Sequence, residues 1–138
     1  MWHAKEWQII INKFSGSYEW KKISFPDENK PSPSAGHSFS LVKTSNGELF
    51  GVLFGGYSGI KFLDSVALYD FGKVKRHFSD INAHIGWDAW RKVEVIGSVS
   101  IEARSVHSAV SQDDIVYIWS GNVGGTQIYA LKVYGTCL

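Results

Sequence analysis

The chain has 138 residues and a mass of 15.4 kDa, room for one domain. Aromatic residues make up 14% of it and charged residues only 20%, too apolar a composition for intrinsic disorder. With 14 Lys and Arg against 13 Asp and Glu, the net charge of +1 gives no electrostatic footprint for nucleic acid. The one cysteine, Cys137, makes no internal disulfide, so a reducing compartment, cytoplasmic or nuclear, suits the fold. No apolar run reaches the ~18 residues of a transmembrane helix, so no membrane association is expected. The first residues also lack the apolar core of a signal peptide.

The apolar residues come in short bursts rich in β-branched and aromatic types. In chain order, residues 7–14, 18–25, 38–42, 49–54, 65–71, 90–96, 108–110, 115–119 and 126–134 read as strands. Turn formers separate them: Ser15-Gly16-Ser17, Ser45-Asn46-Gly47, Gly55-Gly56, Gln112-Asp113-Asp114 and Gly121-Asn122. Asn46-Gly47 supplies the positive φ that a tight hairpin requires. No stretch keeps a 3.6-residue period beyond two turns, so the expected class is all-β.

The order of these segments recurs. Trp20 and Trp90 are 70 residues apart, as are His37 and His107. Glu19-Trp20-Lys21-Lys22-Ile23 is answered by Ala89-Trp90-Arg91-Lys92-Val93. After each His-Ser come a strand, a polar hairpin and a second strand ending in Phe54-Gly55-Gly56 or Trp119-Ser120-Gly121. A third strand follows in each copy.

His37-Ser38, Gly55-Gly56, Leu68-Tyr69-Asp70 and Trp90, in that order, resemble the kelch repeat. The resemblance implies a β-propeller built from antiparallel four-stranded blades of ~50 residues. Residues 7–25 then match the last strands of a first blade, 36–96 a second blade with an insertion at 72–89, and 104–134 a partial third blade. The second copy departs from the pattern at Ser120 and lacks the Tyr-Asp pair on its third strand. Each Trp is expected to pack between blades, and each recurrent His to be a buried, hydrogen-bonded blade residue. Nine strands fall short of a closed ring, which leaves apolar strands at both ends. Three readings stay open: the chain is a piece of a longer propeller, it is closed into a ring by a protein partner or another copy of itself, or it is a small β-sheet protein with a decayed repeat; in the first two, Ile10 and Val133 would lie at the contacts.

The resemblance also implies that contacts lie on loops between the second and third strands and between blades. By position these are Tyr57, Lys61 and Phe62, with residues 29–34, 98–104 and 122–126. Partner binding is accordingly assigned to Tyr57, Lys61, Phe62, Arg104 and Asn122, although the place of Arg104 also matches an arginine that joins neighbouring blades.

A catalytic alternative rests on the insertion. Asp80-x-x-x-His84 has ligand spacing for one helix face, and residues 77–88 resemble half of the iron motif of plant specifier proteins, a kelch group acting on glucosinolate aglycones. Arg76 stands where that motif has its Glu. Asp80 and His84 are thus weak metal candidates. There is no Gly-x-Ser-x-Gly, His-Glu-x-x-His or phosphate-binding glycine loop. The expected function is a non-catalytic interaction module without a cofactor.

Overall fold

A computed structural model describes residues 7–11, 18–22, 28–73 and 89–135. Among these residues the fold is all-β, with nine antiparallel strands in chain order. They are β1 (Trp7–Ile11), β2 (Tyr18–Lys22), β3 (Ser38–Lys43), β4 (Glu48–Phe54), β5 (Val66–Lys73), β6 (Ala89–Arg91), β7 (Ser108–Gln112), β8 (Ile115–Trp119) and β9 (Ile128–Lys132). Each strand pairs with its sequence neighbour, giving a two-stranded sheet β1-β2, a four-stranded sheet β3-β4-β5-β6 and a three-stranded sheet β7-β8-β9. The sheets do not close into a ring. No helix among the described residues is long and apolar enough to cross a membrane.

The local chemistry of the β3–β4 hairpin follows its turn residues. Gly47 takes φ +84°, its N–H donates to Thr44 O at 2.9 Å, and Thr44 N–H donates to Glu48 O at 2.9 Å. The Thr44 hydroxyl accepts from Glu48 N–H at 3.2 Å and contacts Asn46 Oδ1. The second hairpin is shorter, turning at Asp113, where φ is +52°.

Ser38 pairs with Phe54, and Phe54 with Val66; Ser108 pairs with Trp119, and Trp119 with Ile128. Because cross-strand partners share a face, Val42, Phe50, Val52 and Phe54 lie on one side of the larger sheet. They are buried against Val116 and Ile118 of β8 and against Val133, with Val66, Leu68, Ala109 and Leu131 packed around them. This is the core, formed where two sheets meet face to face. Burying one large apolar side chain there contributes about 1.5–3 kcal/mol. Val133 is only 5% exposed and belongs to this core, so it does not offer the end contact expected of it.

On the opposite side of the larger sheet, the Phe39 ring lies over Gly51. A Cβ at Gly51 would come within 2.1 Å of the ring, so only glycine admits this close approach. The fourth strand is anchored on both faces. Tyr69 meets Trp90 edge-on at 5.3 Å, and Arg91 donates from Nη2 and Nε to Asp70 Oδ2 at 2.9 and 3.0 Å. Asp70 is buried, so its carboxylate depends on that pairing.

Two expectations change, and a third lies outside the described residues. The strand read at 90–96 stops at Arg91; Val95 and Ile96 are exposed and outside the ladder. Trp90 is half-buried and Trp20 exposed, so neither has the full burial expected of it. The insertion at 72–89 lies outside the described residues between 74 and 88. Truncating half-buried Trp90 to Ala should cost about 2 kcal/mol, below the ~3–5 of a fully buried aromatic. A shift of the urea midpoint checks this, and an unchanged midpoint would remove Trp90 from the account of the fourth strand.

Candidate functional site

The starts of β3, β5, β7 and β9 and the ends of β4 and β8 lie at one end of the two sheets, where the expected contact residues gather. Phe54 leads directly into Gly55 and Gly56, with φ +68° and +103°. Gly55 N–H donates to Ser65 O at 3.1 Å, and Leu63 N–H to Gly56 O at 2.9 Å. The chain then projects as a small hairpin in which Ser58 N–H donates to Lys61 O at 3.0 Å. The Ser58 hydroxyl accepts from Lys61 N–H at 3.2 Å, which fixes the turn.

This hairpin carries the exposed aromatics. Tyr57 and Phe62 bridge each other, their ring centroids 5.0 Å apart, and Ile60 at the tip is 89% exposed. Lys61 is exposed beside them. Tyr57 N–H donates to Ala35 O at 2.8 Å and Ala35 N–H returns to Tyr57 O at 3.0 Å, so the hairpin is tied to residues preceding β3.

The segment preceding β7 is bonded to the same loops. Gly56 N–H donates to Arg104 O at 2.8 Å, Arg104 N–H to Leu63 O at 3.0 Å, and Val106 N–H to Gly36 O at 2.8 Å. At Gly55 this approach leaves no room for a Cβ. A Cβ on Gly55 would stand 2.6 Å from Arg104 O, a backbone atom that cannot turn aside. Ser120 and Gly121 repeat the φ pair of Gly55 and Gly56, at +65° and +103°.

Arg104 is 3% exposed. Its Nε donates to Glu102 O and its Nη1 to Ser120 O, both at 3.0 Å, while the guanidinium lies 5.2 Å from the Tyr129 ring centre. It therefore joins β8 to the preceding loop and offers nothing to an outside partner. Asn122 is exposed, but its Oδ1 accepts from Ser105 N–H at 2.7 Å and its N–H donates to Ser105 O at 3.2 Å, a local staple. The surface that remains is Tyr57, Ile60, Lys61 and Phe62, continued by exposed Val106 and Val123. Sequence reasoning missed Ile60 and Val106, while Val123 falls within the 122–126 loop that it named. Gly59, with φ +93°, was the signal for a turn that would push Ile60 outward.

The two recurrent histidines differ. His107 is half-buried, its Nε2 sharing a hydrogen bond with Ser38 Oγ at 2.8 Å and its ring edge-on to Phe54 at 5.2 Å. Its Nδ1 is buried with no hydrogen-bond partner. His37 is exposed, its Nδ1 3.0 Å from the Ser34 carbonyl, so the expectation of a buried ring fails there. His107 is covered by the larger sheet; no sheet among the described residues covers His37 in that way. Burial lowers the His107 pKa below its ordinary value, and the nearby positive Arg104 and His37 add to the effect.

No three His, Cys, Asp or Glu side chains among the described residues stand where they could hold one metal ion. Asp80 and His84 lie outside those residues, as does Cys137. Comparison of the chain with protein-family models, with curated proteins and with solved structures finds no match.

Because the folded state resists protonating His107, the unfolded chain binds more protons below its own pKa of about 6.5. The His107 contribution to stability is thus constant above that pH and is lost as pH falls through it. His107→Gln should flatten the dependence of the urea midpoint on pH between about 7.5 and 5.5. Equal slopes in the two proteins would contradict the assignment. Gly55→Ala should lower the midpoint by an amount equivalent to about 1–3 kcal/mol, because it adds both a strained φ and a backbone clash.

Proposed function

We propose that this chain is a non-catalytic interaction module, an arc of a kelch-type propeller whose strand-end loops bind a protein partner. The observation that carries the reading is the correspondence between the two larger sheets. Ser38–Phe54–Val66 and Ser108–Trp119–Ile128 occupy the same ladder positions. Each row is preceded by a left-handed residue, Gly36 at +67° or Val106 at +50°. Each second strand ends in the same φ pair, once as Gly-Gly and once as Ser-Gly. Three backbone coincidences in matching order support successive copies of one unit, with β1 and β2 as the outer strands of a preceding one.

Binding follows from the exposed loop chemistry. Tyr57 and Phe62 present apolar rings with few rotatable bonds on a hairpin held by the scaffold, and aromatics so placed dominate interfaces. Ile60 extends the apolar tip, and Lys61 adds a positive rim. A patch built of loops and lacking any cluster of titratable groups suits recognition better than chemistry. A single cysteine, unpaired within the chain, supports a cytoplasmic working place.

The test joins binding to composition. Tyr57→Ala with Phe62→Ala should leave the melting temperature within a few degrees of the parent. The same variant should lose the partner that the parent captures and that cross-linking mass spectrometry maps to residues 57–62. Elemental analysis should find no stoichiometric iron or zinc. A stoichiometric metal, or a partner mapped elsewhere and retained by the double variant, would overturn the reading.

A further inference from the structure

The segment leading into β3 carries chemistry that the fold does not use. Residues 30–34 read Lys-Pro-Ser-Pro-Ser, and Ser32-Pro33 is the one place in the chain where a serine or threonine precedes a proline. Pro33 steers Ser32 into extended backbone, and each proline fixes its own φ. Residues 31–34 accordingly run without a turn, with Ser32 and Pro33 exposed. Among the described residues nothing hydrogen-bonds Ser32. Ser34 differs: its Oγ lies 3.3 Å from His37 Nδ1 and 3.5 Å from Gly55 O, and Ala35 follows it. Ser32 also borders the exposed hairpin. Ala35 pairs antiparallel with Tyr57, so the chain leading back from Ala35 to Ser32 runs beside the chain leading on from Tyr57 to Ile60. At most about 10 Å of extended backbone separates Ser32 from that pairing.

We infer that Ser32 is a phosphorylation site for a proline-directed protein kinase, and that its phosphate lies against the 57–62 hairpin. In the transfer, Ser32 Oγ bonds to the γ-phosphorus of a nucleoside triphosphate and the β–γ bridging bond breaks. The nucleoside diphosphate leaves, and the hydroxyl proton passes to the kinase. Phosphorylated Ser32 carries a charge of about −1.5 to −2 at neutral pH, beside a hairpin whose one cation is Lys61. A partner that covers Tyr57, Ile60 and Phe62 must then desolvate that charge, so phosphorylation releases it. This consequence rests on the reading of the hairpin as the binding surface; the acceptor site does not.

The full chain, incubated with Mg-ATP and a purified proline-directed kinase, should take up one phosphate, mapped to Ser32 by tandem mass spectrometry. The folded chain should react as fast as an isolated peptide of residues 28–38, because the segment is already extended and exposed. Ser32→Ala and Pro33→Ala should lose the phosphate, and Ser34→Ala should keep it. In the phosphorylated chain, the amide resonances of residues 58–61 should titrate with the phosphate at a pH of about 6, and in the parent they should not. The partner that cross-links to residues 57–62 should bind the phosphorylated chain about tenfold more weakly or worse. No phosphate on Ser32, a folded chain that resists while the peptide reacts, or amides that ignore the phosphate would each overturn the proposal. Undiminished binding would overturn the switch. A parent that captures nothing at residues 57–62 would overturn the reading of the hairpin and the switch with it, while the phosphate mapping still decides the acceptor site.

Discussion

The structure depends on one close approach between backbones. Residues 104–106 run against the loops that flank β3 and β4, and three N–H groups cross between them: Gly56 to Arg104, Arg104 to Leu63, and Val106 to Gly36. At the other end of the sheets, Lys43 N–H donates to Asp113 O at 2.9 Å. The two sheets are thus held at both ends by main-chain hydrogen bonds, which set the spacing at which Phe54, Val52 and Val42 meet Val116 and Ile118. A net hydrogen bond of this kind contributes about 1 kcal/mol. Leaving it unmade inside a core costs more, so the approach is strongly enforced.

That constraint explains the oddest residues in the chain. Gly55 has no room for a Cβ because Arg104 O occupies the space. A Cβ on Gly121 would meet Ser105 O at 2.8 Å for the same reason. Ser120 tolerates its left-handed φ because its carbonyl is held by the Arg104 guanidinium. Arg104 itself is buried because it satisfies carbonyls that the sharp turn leaves without strand partners. His107 enters the same corner, where its neutral ring packs on Phe54 and its charged ring would face Arg104.

Much of this was legible in the sequence, for reasons that can be named. The nine bursts of β-branched and aromatic residues are the nine strands because each is short and bounded by turn formers, a pattern that few other structures produce. Gly47, Gly55 and Gly56 take the positive φ expected of them, since glycine reaches it without strain, whereas Asn46, expected to share it with Gly47, does not. Other features needed three dimensions. Residues 92–96, Lys-Val-Glu-Val-Ile, alternate as a strand should, yet the ladder ends at Arg91. The resemblance places Arg104 both among the contact residues and as an arginine joining blades, and only the carbonyls of Glu102 and Ser120 around it show what it holds. The bonding of exposed Asn122 to Ser105 was also hidden, because it joins positions 17 residues apart. The unequal fates of His37 and His107 are invisible to a repeat argument, which assigns both the same place. Their environments differ because, among the described residues, a neighbouring sheet covers only His107.

Amide hydrogen exchange followed residue by residue tests the central claim most directly. If main-chain bonds between the sheets hold the core, the N–H groups of Lys43, Gly56, Arg104 and Val106 should exchange as slowly as those in the middle of β4. They should also open together with the ladder of β8, as one cooperative unit. Exchange at those four positions as fast as at the exposed tip of the 57–62 hairpin, with β4 still protected, would contradict the account.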